Sequence, residues 1–359
     1  MAKQKNRNKR KKKRKALQKA PSNPRSNEKV LEVEELQVQF RTDEGIVKAV
    51  GGVTFNLSKG ETLGIVGESG SGKSVTSLAI MGLVPQPPGR ITGGSVKYRG
   101  NELVGASNDD MTNIRGNHIA MIFQDPMTAL NPFLTVEEQM TEVTRLHLNH
   151  SHEEAIDHAI NMLEMVGIPS ASKRVFEYPH QFSGGMRQRV MIAMALSCKP
   201  DVLIADEPST ALDVTIQAQI LELMKELQKE HGTAIILITH DLGVVANICH
   251  NVLVMYAGKI VERAESNSLF ANPRHPYTLG LLGSVPRWDE QERETLTAIE
   301  GQPPDLVHLG KGCSFYERCP FSEEGCKEQE PDLLPRPDGG QFACFVDIEH
   351  AQQHEVVSD

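Results

Sequence analysis

Residues Gly67-Glu68-Ser69-Gly70-Ser71-Gly72-Lys73-Ser74 fit the pattern GxxxxGK[ST] and stand between an apolar run at 61–66 and a helical pattern at 72–83. Such a loop turns backbone N–H groups inward to cradle phosphate oxygens, and the dipole of the following helix favours the same anion. Glycines at 70 and 72 permit the close approach. Lys73 is placed to meet β and γ phosphates and Ser74 to ligate Mg²⁺, with Val75 completing the nucleotide-contacting run. A second apolar run, 202–205, delivers Asp206 and Glu207 to its C-terminal end, beside the loop in a parallel sheet. There Asp206 serves Mg²⁺ and Glu207 polarises an attacking water as general base. Ser183-Gly184-Gly185 opens a predicted helix, so its N–H groups and the Ser183 hydroxyl offer another γ-phosphate site. Thr239-His240-Asp241 ends a third apolar run; alone, a histidine there is more often structural, but here it follows a complete set.

The elements that must position these groups can be read from periodicity. Residues 31–40 and 46–57 alternate apolar and polar types, predicting antiparallel strands, and residues 94–102 read as a hairpin around Arg99-Gly100-Asn101. Residues 118–124 form a buried strand ending at Gln124. Two capping boxes, Thr135 with Glu138 and Ser151 with Glu154, open amphipathic helices and predict a helical insert at about 125–190. From 183 onward helices alternate with strands at 202–206, 234–239 and 251–256, which implies a largely parallel sheet. Beyond residue 284 prolines break any long element. The expected division is a basic tail over 1–29, one large domain over 30–283 and an extension over 284–359. No internal repeat is present, which excludes a fused pair of such domains.

The charge is segregated. The formal net charge is −9, yet residues 1–29 carry thirteen Lys and Arg against one Glu, leaving −21 on the rest. The tail lacks the apolar stretch of a secretory signal and reads as a disordered basic segment. No apolar run approaches the roughly 18 to 20 residues needed to span a bilayer.

Taken in their fixed order, Gly67 to Ser74, Gln124, Phe182-Ser183-Gly184-Gly185-Met186, Val202 to Glu207 and His240 resemble the ATP-binding cassette family. The resemblance implies an α/β phosphate-loop NTPase core with an antiparallel β subdomain and a helical subdomain. It implies ATPase activity with ATP and Mg²⁺, and two cassettes meeting head to tail so that Ser183, Gly184 and Gly185 bind the partner's nucleotide. Ser209-Thr210-Ala211-Leu212-Asp213 resembles the loop joining the two sites. His240 is similar to the family's switch histidine, and Gln124 to a residue that helps position water and Mg²⁺ and reports nucleotide state to a membrane partner. Phe40 is the candidate for stacking on adenine, a core strand residue being the other reading of it. Phe182 and Met186 replace the commonest Leu and Gln of the signature segment, a variation that spares its phosphate-binding centre.

His275-Pro276-Tyr277-Thr278, Gly301-Gln302-Pro303-Pro304-Asp305-Leu306 and the spacing Cys313-x5-Cys319-x6-Cys326-x17-Cys344 resemble the extension of dipeptide and oligopeptide importer ATPases. Four thiolates in one segment suit a soft metal in tetrahedral sulfur coordination, although zinc normally takes tighter cysteine pairs. The resemblance implies a [4Fe–4S] cluster; four ordinary reduced cysteines are the alternative. It also implies a peripheral protein on the cytoplasmic face of a bacterial membrane, bound to two transmembrane permease subunits and served indirectly by an external solute-binding protein. Related nickel, opine and glutathione importers use similar ATPases. Cassette proteins of DNA or ribosomes fit less well, because 58 residues between Gln124 and Ser183 leave no room for a long coiled coil and only one cassette is present, so no nucleic acid partner is expected.

Overall fold

The computed structural model describes residues 28–208, 213–284, 299–336, 338–346 and 348. The basic tail through residue 27 and the Ser209 to Leu212 segment lie outside them.

Strand β1 (Lys29–Thr42) pairs antiparallel with β2 (Gly45–Ser58). Leu31, Val33, Leu36 and Val38 are buried along β1, and a register shift between Val33 and Leu36 accommodates the successive exposed Glu34 and Glu35 without reversing the apolar face. Next comes β3 (Thr62–Val66), followed by the phosphate-loop segment and the helix Lys73–Ile80. The expected hairpin is longer than its periodicity suggests: β4 (Gly89–Tyr98) starts five residues earlier because its first residue pairs with Phe40 of β1, and β5 (Asn101–Glu102) closes the turn. Gly93 and Gly94 give that stretch no apolar alternation to read. The helix Asn108–Ile114 is likewise unannounced, since Met111 is its single buried residue and it is held by the Ser107 cap.

After β6 (Ile119–Ile122), five helices precede the next strand: Pro126–Ala129, Val136–Leu148, His152–Met165, Ala171–Arg174 and Gly184–Leu196. Both predicted capping boxes are formed, at Thr135/Glu138 and Ser151/Glu154. Then follow β7 (Val202–Asp206), helix Val214–His231, β8 (Ala234–Ile238), helix Leu242–Ile248 and β9 (Asn251–Tyr256). A tight turn with positive φ at Ala257 and Gly258 returns the chain as β10 (Lys259–Glu265). The extension contributes β11 (Leu334–Pro335) and β12 (Gln341–Phe342).

One sheet runs β2-β1-β4-β5 and the other β11-β12-β10-β9-β3-β8-β7-β6. The five strands β9, β3, β8, β7 and β6 are parallel, and β3, β6, β7 and β8 are buried at every position, as a sheet covered on both faces requires. Successive residues feed opposite cores. Ile65, Ile204 and Ile236 pack with the antiparallel sheet, while Val66, Ala205 and Leu237 pack with the helical side around Leu163, Val190 and Met224. Because β12 pairs with β10, the cassette sheet continues into the chain beyond residue 284. Among the described residues no helix is long and apolar enough to cross a membrane.

Candidate nucleotide site

Parallel strands put their C-terminal ends on one edge, and the predicted functional residues stand there: the loop after β3, Gln124 after β6, Asp206 and Glu207 at the end of β7, and His240 after β8. Each follows a buried apolar strand that can end only where polar groups reach solvent or ligand.

The loop is shaped by close backbone approach. Gly72 has φ +99°, and a Cβ there would lie 2.4 Å from the Ala49 carbonyl; at Gly67 it would lie 2.2 Å from that of Met255. Only glycine fits both positions. Ser69 and Gly70 form the exposed tip. Lys73 begins the helix and is nearly buried; its Nζ donates to the Gly67 and Glu68 carbonyls at 2.8 Å each and to Ser71 Oγ at 3.4 Å. Burial lowers the Lys73 ammonium from its ordinary range, opposed by Glu207, Asp206 and Glu68. An ammonium that donates to two carbonyls and a hydroxyl beside an open loop is available to a polyanion. Val75 is half-buried and packs against the core shared with the antiparallel sheet.

Asp206 is buried, and burial raises its carboxyl above the usual range while a hydrogen bond with Ser74 acts the other way. Its Oδ1 is buried without a hydrogen-bond partner. A hydroxyl beside an unsatisfied carboxylate oxygen is an oxygen donor set suited to Mg²⁺, which takes one or two protein ligands with the remainder from phosphate and water. The residues therefore fit that ion. Glu207 occupies the left-handed region at φ +48°. Its N–H donates to the Ile238 carbonyl at 2.9 Å, and its carboxylate lies 3.6 Å from His240 Nδ1. A non-glycine residue in that conformation costs on the order of 1–3 kcal/mol, a cost that recurs where a side chain must be aimed. His240 itself is exposed.

Gln124 is exposed at the same edge, with β7 and β8 between its own strand and β3. Ser183 caps the helix Gly184–Leu196, its Oγ accepting from the Met186 N–H at 3.3 Å, and Ser183 and Gly184 are exposed. That thirteen-residue helix starts with open N–H groups on the surface. Phe182 is buried and anchors the turn before it. Phe40 is half-buried in the antiparallel sheet, its ring against Gly89 and its backbone paired with Val47 and Gly89.

In the extension, Cys313, Cys319, Cys326 and Cys344 line one small cavity with His275 and Phe315. Burial pushes the Cys344 thiol up to about 12 and the Cys319 thiol up to about 11, with nearby cysteines adding to both. Among the described residues no group of three or more His, Cys, Asp or Glu is disposed to hold a metal ion. The cysteines converge, but as placed they do not form a ready cluster site.

Sequence reasoning missed Arg318, which reaches the phosphate loop from the extension and forms a bidentate pair with Glu68 at 2.6 and 2.9 Å. No spacing signal could reveal a contact across 250 residues of chain.

The chain is similar to known proteins over most of its length. Residues 50–210 match the family described as ABC transporter, and 261–326 match the one described as Oligopeptide/dipeptide transporter, C-terminal region. The oligopeptide transport ATP-binding protein OppD of Bacillus subtilis (strain 168) is 56% identical over 310 residues, covering 86% of this chain and 87% of that protein. The dipeptide transport ATP-binding protein DppD of the same organism is 53% identical over 331 residues, covering 92% and 98%. A solved dimeric ATP-binding cassette in a post-hydrolysis state bound to ADP and Pi superimposes with a TM-score of 0.60 at 28% identity, covering 66% of this chain and 98% of that one. Identities of 56% and 53% over most of both chains, with the two matching family models, show that the chain belongs to the ABC transporter ATPases, in the group that carries the oligopeptide/dipeptide transporter C-terminal region.

Proposed function

We propose that this chain hydrolyses ATP to power import of di- or oligopeptides across the bacterial cytoplasmic membrane, sitting on its cytoplasmic face. The observation that carries the catalytic part is the pairing of Glu207 with His240, with Glu207 close enough to act electrostatically on Lys73, whose ammonium donates to the Gly67 and Glu68 carbonyls. The relatives named above, together with the matching C-terminal region, support the peptide substrate. Lys73 leaves the Gly67 and Glu68 carbonyls for the β and γ phosphates, while loop N–H groups hold the remaining oxygens. Glu207 accepts the proton of the water that attacks the γ-phosphorus as the bond to the β-phosphate oxygen breaks and ADP departs. Ser74 and Asp206, with Gln124, would hold Mg²⁺, which when bound would offset phosphate charge. His240 keeps the Glu207 carboxylate oriented. Ser183, Gly184 and Gly185 complete the site on a partner cassette, so an isolated chain turns over slowly. Phe40 is assigned to the adenine. Two permease subunits and an external binding protein supply the path and the solute.

The test is purification of the native membrane complex, identification of its subunits and reconstitution into liposomes. ATP-dependent uptake of a labelled dipeptide or short oligopeptide is expected; a complex without permease subunits, or one that moves only another solute, sinks the proposal.

The reading of the four cysteines that line one cavity as ligands of a [4Fe–4S] cluster rests on the resemblance of their spacing and not on their placement. Anaerobic purification is then expected to give brown protein with iron and sulfide near four per chain. One zinc per chain, or no metal, removes the cluster from the proposal.

A further inference from the structure

The Cys-rich extension reaches the phosphate loop through an arginine. Arg318 stands between Cys313 and Cys319, and its side chain is 5% exposed. Its guanidinium fork grips both oxygens of Glu68, Nη1 to Oε2 at 2.6 Å and Nη2 to Oε1 at 2.9 Å, while Nε donates to the Glu300 carbonyl at 3.0 Å. The group lies 5.8 Å from the ring centre of Tyr256 at the end of β9 and 5.9 Å from that of Phe315. Tyr256, Tyr277 and Phe315 pack on one another with ring centres 4.6 to 5.4 Å apart, so the arginine is set in a rigid aromatic frame.

Glu68 is the second residue of the phosphate loop and is held at three points. Its N–H donates to Tyr277 Oη at 2.7 Å, its carbonyl accepts from Lys73 at 2.8 Å, and its carboxylate is taken by Arg318. A carboxylate in that loop is electrostatically wrong for a site that must receive a triphosphate, because like charges repel most strongly where water is partly excluded. An arginine fork both neutralises it and fixes its direction.

We infer that Arg318 is a positioning residue for nucleotide binding: the extension, through this pair, holds the Glu68 carboxylate away from the incoming phosphates and sets the first turn of the loop. The extension is thereby part of the ATP site's support. The inference rests on the loop being the nucleotide site.

The experiment measures Mg-ATP affinity of the full chain. Losing a charge-assisted pair of this type is expected to weaken binding by about tenfold in Arg318→Met. Arg318→Lys, which keeps the charge but not the fork, falls between Arg318→Met and the unaltered chain. Adding Glu68→Gln to Arg318→Met is expected to recover most of the affinity, because the unpaired charge is gone; a pair acting merely as a structural tether gives no such recovery. Unchanged affinity in Arg318→Met, or a double variant binding no tighter than the single one, overturns the inference. Should Arg318→Met not fold, Arg318→Lys alone decides, and full affinity there overturns the fork's role. Lys73→Ala is the separating control. If it too leaves binding intact, the reading of the loop fails; if it abolishes binding while Arg318→Met does not, only the role of Arg318 fails.

Discussion

Glu207→Gln is expected to bind Mg-ATP and to hydrolyse it about 10²- to 10⁴-fold more slowly in the assembled complex, the usual contribution of a general base. The amide keeps the size and shape of the carboxylate, so the left-handed backbone at residue 207 and its N–H bond to Ile238 are undisturbed. What is lost is the capacity to take a proton from water. With hydrolysis blocked and binding intact, ATP should accumulate between two cassettes as a trapped dimer. Single-turnover hydrolysis and light scattering with Mg-ATP check both parts. Turnover at the rate of the unaltered chain would remove Glu207 from the catalytic role, and loss of nucleotide binding would show that the substitution damaged the loop instead.

Arg336→Met is expected to destabilise the chain by about 3–5 kcal/mol, because it leaves a buried carboxylate without its cation. Glu262 and Arg336 are both fully buried and 2.6 Å apart. Glu262 also accepts the N–H groups of Arg274 and His275 at 2.8 and 2.9 Å, and Arg336 donates to the Asn272 carbonyl at 2.7 Å and to Asp338. The pair therefore ties β10, the His275 turn and the β11–β12 hairpin into one unit. Burial already raises the Glu262 carboxyl above its ordinary range, and removal of the guanidinium raises it further. For a chain of this size the loss corresponds to a fall in Tm of roughly 4–7 °C. Glu262→Gln added to Arg336→Met should restore part of it, since the unpaired buried charge is removed, although the amide oxygen can replace only one of the two carboxylate oxygens that accept from Arg274 and His275. A thermal melt unchanged by Arg336→Met would show that the pair contributes nothing to holding the extension.

The nucleotide-binding segment is legible in the sequence because its requirements are local. Gly67 and Gly72 are demanded by backbone contacts at 2.2 and 2.4 Å that any side chain would violate, Lys73 must open the next helix, and Asp206 must end a buried strand. The capping boxes at Thr135 and Ser151 are local too, each closed within three residues. Such features repeat wherever the same backbone turn is made, so residue type and spacing suffice to find them.

The extension follows a different logic. By itself the sequence determined that residues beyond 284 hold no long periodic element and that four cysteines fall close together. Only the tertiary structure decided that Gln341 and Phe342 continue the cassette sheet beside β10, that Arg336 is neutralised by Glu262, and that Arg318 reaches Glu68. Two-residue strands carry no alternation, and an arginine on an irregular segment looks like any solvated charge. Their partners lie 74 and 250 residues away in the chain and are chosen by which surfaces the folded sheet leaves adjacent, which no local pattern encodes.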